Sequence, residues 1–182
     1  MRDSQSVPQL PGVLPGQIWL VEHGAGMPLS PLDRVLLGAA NVVLYDRALA
    51  ALVAQVLPLG AYAEPLAGVE PASGPAITRR ALDFATGGWS VVQFVAAGPA
   101  WRARLTTLPP ALLRARRDGV LPVRVVAKDT AGHERAFDAG RDEFAELIRE
   151  FGDDERLTLV FGPLARPGPV PAHAFTANGL AG

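Results

Sequence analysis

This sequence has no cysteine, and only one of its seventeen basic residues is a lysine. The first absence excludes a disulfide framework, a thiolate metal site and a cysteine nucleophile. The second reads as a bias toward arginine in the coding sequence rather than as a phosphate-binding surface. Net charge is nearly absent too: at −1, nothing draws the chain to nucleic acid or to an anionic membrane. No apolar run approaches the length needed to span a bilayer, and residues 1–16 lack a basic start followed by an apolar core. A cytoplasmic protein is expected. His133 and His173 fall in expected loops, too far apart in sequence to suggest a metal site.

What is present is a globular composition. Across 182 residues, 49% are hydrophobic and 19% charged, which suits one domain with a respectable core or two very small ones. The most informative stretch runs from Gln17 to Arg47. Ile18 to Val21 is an apolar run short enough for a buried strand. A glycine turn follows, Glu22-His23-Gly24-Ala25-Gly26-Met27-Pro28. Then comes a helix start, with Ser30 as cap, Pro31 at the first helical position and Asp33 three residues after the cap. A second apolar run, Val42 to Tyr45, leads into Asp46 and Arg47. Strand, turn, helix and strand in that order predict a βαβ unit and a parallel sheet.

The same rhythm continues. A helix is expected over 48–56, a weak strand near 61–63, and a helix from a Ser73 cap to about residue 85, ended by Gly87 and Gly88. Trp89 to Val95 predicts a buried strand, followed by a helix over 110–117 and a strand over 123–127. The runs at 18–21, 42–45, 90–95 and 123–127 are expected as parallel neighbours in one sheet. Further on, a hairpin is expected around Ala131-Gly132, an amphipathic helix over 141–151 and a strand over 157–161. The organisation read from this is a loose arm at 1–16, an α/β domain at 17–127, a short α/β extension at 128–162 and an irregular tail at 163–182. The fold expected is a single α/β domain with a mainly parallel, twisted sheet and helices on both faces.

Two stretches resemble the tetrapyrrole methylases, most closely the uroporphyrinogen-III C-methyltransferases. The first is the Gln17–Arg47 unit, where Gly24, Gly26, Pro28 and the ending Tyr45-Asp46-Arg47 match the family's pattern. Met27 stands where that pattern has Asp, and Glu22 where it has Gly. The second is Gly88 to Arg104, in which Ala96-Ala97-Gly98-Pro99 takes the place of a Gly-Gly-Asp-Pro segment and Arg104 matches an Arg between small residues. The resemblance covers residues 17–127 and implies the N-terminal domain of that family. It implies S-adenosylmethionine as cofactor, held near Gly24, Gly26, Pro28, Ala97 and Pro99. It also implies a tetrapyrrole substrate, with Asp46 beside the active-site trough. The family's second domain has no counterpart over residues 128–182, which are expected to extend the first sheet and cover its edge. A homodimer or a partner chain is therefore expected to complete the cleft.

The residues themselves leave alternatives open. In open α/β sheets, ligands bind beyond the carboxyl ends of the strands, and Glu22 to Gly26, Asp46-Arg47 and Ala96 to Arg104 fall at such ends. The glycine turn admits a ligand to the backbone or is simply a tight connection. Asp46 and Arg47 serve the reaction or the substrate, or form a local ion pair and cap the next helix. Arg104 grips a propionate with its guanidinium fork or is one more solvated arginine. Glu22 and His23 are an acid–base pair facing substrate or a polar pair in an exposed turn. Trp101 stacks on a planar ligand or packs the domain edge. Two functional classes follow. One is methyl transfer to a uroporphyrinogen-like tetrapyrrole, impaired or dependent on a partner. The other is a non-catalytic module that binds a tetrapyrrole or a protein.

Overall fold

Alternation explains the sheet. In the first strand, β1 (Ile18–His23), Ile18 and Leu20 face one core cluster while Trp19 and Val21 face another, so both faces are covered. The computed structural model describes residues 12–24, 26–66, 77–98, 101–102, 123–128, 134–139 and 156–162. The other strands among the described residues are β2 (Val42–Tyr45), β3 (Tyr62–Pro65), β4 (Val91–Ala96), β5 (Val123–Lys128), β6 (Glu134–Ala139) and β7 (Arg156–Phe161). They form one seven-stranded sheet in the order β3-β2-β4-β1-β7-β5-β6.

The chain is an α/β protein with a mainly parallel sheet. β3, β2, β4 and β1 pair in parallel, with Val91 of β4 opposite both Ile18 and Val42. β7 then pairs antiparallel with β1, and β5 antiparallel with β7, so β5 points the same way as β1. The expectation that β5 neighbours the other parallel strands is corrected here: β7 lies between β5 and β1. Its residues Leu157 to Phe161 are all buried, whereas β5 leads directly into the antiparallel β6.

Helices cover both faces. On one face α1 (Pro31–Ala39) packs Leu36 and Leu37 against Trp19, Val43, Val92 and Phe94. α2 (Ala50–Val53), preceded by a 3-10 turn at Arg47–Leu49, adds Leu49 and Val53 to the same cluster. On the other face α3 (Arg79–Thr86) packs Ala81, Leu82 and Ala85 against Ile18, Leu20, Leu44 and Leu159. Burying each large aliphatic or aromatic side chain in these clusters contributes about 1.5–3 kcal/mol relative to exposure.

Caps set the helix starts. Ser30 Oγ accepts the Asp33 N–H at 3.1 Å and Asp33 Oδ2 accepts the Ser30 N–H at 2.9 Å, with Pro31 opening α1. At α3 the cap is Thr78, whose Oγ1 accepts the Ala81 N–H at 3.2 Å. Thr78 is itself held by a buried Gln93 of β4, whose Oε1 accepts its N–H at 3.1 Å and its hydroxyl at 3.2 Å. The expected Ser73 cap lies outside the described residues, as do the expected helices at 110–117 and 141–151. The helix expected over 48–56 is shorter, because Gln55 and Val56 already bond three residues back to Leu52 and Val53 before Pro58 ends the turn. β4 begins at Val91 rather than Trp89, whose side chain is exposed.

The rim of the sheet has its own devices. The Gly16 N–H bonds the Trp89 carbonyl at 3.0 Å, tying the residues just before β1 to the start of β4. On the outer strand β3, the N–H groups of Tyr62 and Leu66 turn toward β2, so the alternation leaves Pro65 at an outward position, where proline removes the donor a further strand would need. Glu64 of β3 accepts from the Tyr62 hydroxyl at 2.7 Å and from Arg80 Nε at 3.1 Å, and the Arg80 guanidinium lies 4.4 Å from the centre of the Phe84 ring.

Candidate functional site

Parallel pairing brings the carboxyl ends of β1, β2 and β4 to one edge of the sheet. His23 stands opposite Ala96, and Tyr45 opposite Phe94, so the glycine turn, Asp46 and the segment from Ala96 leave the sheet side by side. The two carboxyl-end side chains of β1 follow the strand's alternation. Glu22 continues the α3 face of Ile18 and Leu20, and His23 continues the α1 face of Trp19 and Val21.

Glu22 is turned inward. Its carboxylate takes the Arg102 guanidinium in a two-pronged grip, Nη2 to Oε2 at 2.9 Å and Nε to Oε1 at 3.2 Å. Oε2 also accepts the Leu157 N–H at 3.1 Å. The Glu22 side chain is 1% exposed and that of Arg102 is 10% exposed, so this charge is matched rather than presented. One carboxylate thereby joins β1 to the segment after β4 and to the start of β7. Arg102 was not singled out in the sequence, where Arg104 held the attention. A glutamate at the end of an apolar strand was the available signal, because buried carboxylates require a cation.

His23 is likewise internal. Nε2 lies 3.0 Å from the Met27 carbonyl oxygen, Nδ1 lies 3.4 Å from Asp33 Oδ2, and the ring packs against Phe94 with centroids 5.2 Å apart. The exposed-turn reading of Glu22 and His23 is therefore corrected: both are buried. Asp33 has a second role beyond capping α1, since the same Oδ2 faces the imidazole.

The glycine turn closes through a Met27 N–H to Gly24 carbonyl bond of 3.2 Å, with Gly26 at φ 72°, the left-handed region that glycine enters freely. Gly24 is required for space. A Cβ there would come 2.7 Å from Met27 Sδ and 3.1 Å from Arg156 Nε. The Met27 side chain thus lies over the glycine face, while Pro28 is exposed.

Asp46 does not cap the following turn with its side chain. Its Oδ2 accepts the Ala96 N–H at 2.7 Å, and its own N–H bonds the Phe94 carbonyl at 3.0 Å. The Ala97 N–H in turn bonds the His23 carbonyl at 2.7 Å. Arg47 is exposed at the start of the 3-10 turn. Trp101 packs against the α3-side cluster, and its indole Nε1 is out of solvent contact with no hydrogen-bond partner among the described residues. Pro99 and Arg104 lie outside the described residues. Among the described residues, no group of three or more histidine, aspartate and glutamate side chains is placed to hold a metal ion. None of the described helices is long and apolar enough to cross a membrane.

No family model matches the sequence, and no curated protein does. Among solved structures, one titled as the X-ray structure of a cobalamin biosynthetic enzyme, cobalt precorrin-4 methyltransferase, is similar at 17% identity and a TM-score of 0.35. The similarity spans 81% of this chain and 95% of that one. At that score and identity the likeness says nothing about what this chain binds or does.

Proposed function

We propose that this chain is a tetrapyrrole-methylase-like protein. In this reading it passes the methyl group of S-adenosylmethionine to a ring carbon of a uroporphyrinogen-like tetrapyrrole, with a partner chain or a second copy completing the cleft. The observation that carries the reading is the convergence of Gly24–Pro28, Asp46 and Ala96–Gly98 at one sheet edge. These are the segments in which the sequence resembles that family. Glu22, His23 and Asp46 are all engaged within the protein at this edge. That suits a displacement, in which the ring carbon supplies the electron pair, the sulfur leaves as a neutral thioether and the methylated ring then loses a proton to solvent. Such a step depends on positioning two ligands in contact rather than on an ionisable side chain. In this scheme the backbone at Gly24, Gly26, Ala97 and Pro99 approaches the cofactor. Asp46 shapes the trough, while Arg47 and Arg104 meet the substrate and its carboxylates, and Trp101 packs the domain edge.

A second reading is a non-catalytic module that binds a tetrapyrrole or a protein. It is favoured by the Met27 side chain over Gly24 and by the methyl groups of Ala96 and Ala97, where the resemblance has glycines.

Calorimetry with S-adenosylmethionine, S-adenosylhomocysteine and uroporphyrin tests both, together with an assay for methylated product, with and without partner chains from the same source. The expected result is weak cofactor binding by the chain alone, on the order of millimolar or about −4 kcal/mol, and product only when the cleft is completed. Uroporphyrin binding with no cofactor binding and no product under any condition selects the module. Binding of neither ligand sinks both small-molecule readings.

A further inference from the structure

The strands β3, β2, β4 and β1 all begin along the edge of the sheet opposite the candidate site, and that edge carries no charge. The connections entering there cover residues 12–17, 38–41, 54–61 and 86–90, and none of them contains an aspartate, glutamate, lysine or arginine. The other edge, by contrast, carries Glu22, Asp46 and Arg47 at its strand ends. Of the five large apolar side chains exposed among the described residues, Leu14, Leu59, Tyr62 and Trp89 lie at the uncharged edge and only Met27 at the other. Backbone bonds make that edge continuous. The Gly16 N–H reaches the Trp89 carbonyl at 3.0 Å, the Asn41 N–H the Ser90 carbonyl at 3.1 Å, and the Tyr62 N–H the Asn41 carbonyl at 2.9 Å. Leu59 stands at the tip of a turn closed by the Ala61 N–H on the Pro58 carbonyl at 3.2 Å, with Gly60 at φ 91° in the position where such a turn needs glycine. An ordered turn thus holds a fully exposed leucine outward. Single apolar residues on a surface need no explanation, but a continuous row of them marks a contact.

We infer that this rim is the surface through which two copies of the chain associate, back to back, with Trp89 at its centre. The strand order sets Trp89 between Leu14 on one side and Leu59 on the other. Trp89 and Leu14 are 52% and 56% exposed, so each keeps much of its apolar surface to bury. Aromatic residues are enriched, and charges depleted, at the centres of protein interfaces. The polar groups here are already satisfied within the chain. Ser90 Oγ donates to Asn41 Oδ1 at 2.7 Å and accepts the Asn41 N–H at 3.0 Å, so covering them leaves no orphan. Charge selects the occupant. An anionic membrane or a nucleic acid calls for basic residues, which the rim lacks. In a two-fold contact the same patch meets itself, and a patch without charge does so without like-charge repulsion. Both carboxyl edges then point outward. This contact is therefore distinct from the one that completes the cleft in the methylase reading, and the inference does not depend on that reading.

The test is sedimentation velocity of the full chain at rising concentration, up to about 100 μM, which reaches dissociation constants in the micromolar class. The expected result is a dimer. Trp89→Glu and Leu59→Glu should each weaken association at least about tenfold, as loss of an interface anchor does. Circular dichroism and the unfolding midpoint should stay as in wild type, since both side chains are exposed. A second arm leaves the apolar rim intact. The chain has no cysteine, so Ala39→Cys and Arg47→Cys each place a single spin label on an exposed residue, one at the amino edge and one at the carboxyl edge. Pulsed electron paramagnetic resonance of the dimer should give a shorter separation between copies for the label at 39 than for the label at 47. A chain that stays monomeric at every concentration overturns the inference and gives the rim to a different protein. A dimer with the two separations reversed also overturns it, because the copies would then meet at the candidate site. So does a dimer that neither glutamate weakens.

Discussion

The Asp46 carboxylate sits 2.7 Å from the backbone nitrogen of Ala96, so the residue just after β2 satisfies the amide at the end of its neighbour β4. The contact joins the carboxyl ends of two parallel neighbours. It fixes the spacing of the two loops whatever they bind.

Asp46→Ala should therefore destabilise the fold by about 1.5–3 kcal/mol, the usual range for a lost hydrogen bond to a charged group. Asp46→Asn, which keeps an acceptor, should recover most of that. Urea unfolding of the three proteins decides it. An alanine variant as stable as wild type would show that the contact adds nothing to the fold.

The Glu22–Arg102 pair should show a large coupling energy. Removing Arg102 strands the buried Glu22 carboxylate, at a cost of about 3–5 kcal/mol. Removing both, as in Glu22→Leu with Arg102→Met, should cost much less than the sum of the single changes. A double-mutant cycle by denaturation measures this, and additive losses would mean that the two side chains act separately.

Gly24→Ala should lose about 1 kcal/mol, the mild end of overpacking, because the obstructing atom is the flexible end of Met27. Adding Met27→Ala should restore stability in part, leaving the contact with Arg156. Gly26→Ala meets no atom within 4 Å, yet it should cost about 1–2 kcal/mol because φ 72° is strained for a side chain. Equal losses at both positions regardless of Met27 would refute the steric account of Gly24.

Glu64 should titrate below its ordinary value of 4.5, held down first by the Tyr62 hydroxyl, with burial opposing it and Arg80 adding to the depression. A carboxylate depressed in the folded state adds stability above its unfolded value and loses it as pH falls through the lowered one. Tyr62→Phe should move the midpoint up toward 4.5, read by side-chain NMR. The stability change should be slight, since Glu64 and Arg80 are both well exposed. No movement of the midpoint in Tyr62→Phe would remove the hydroxyl as its main cause.

Much of the fold was legible because it follows local rules. The apolar runs of β1, β2 and β7, the Ser30–Asp33 cap and the end of α3 at Gly87-Gly88 each depend on neighbours in sequence. The position of β7 was not legible, because periodicity says that Leu157–Phe161 is buried but not beside which strand. The site shows the same division. Spacing indicated that Glu22, Asp46 and Ala96 would share an edge. It did not reveal that Glu22 pairs with a residue eighty positions away, or that Asp46 spends its side chain on a backbone amide. Those partners are set by the pairing of strands, and the sequence between them carries no trace of it.

The strand order has a consequence for how this protein comes into being. β4 lies between β1 and β2, and β7 lies on the other flank of β1. β1 gains its neighbours only when residues 91–96 and then 156–161 arrive. Until then an apolar segment, Ile18 to Val21, waits with both edges unpaired, and long-range pairing of this kind closes slowly. The stretch that most clearly announces the fold in the sequence is thus among the last to be secured on the ribosome. It is the segment most in need of shelter while the chain is still growing.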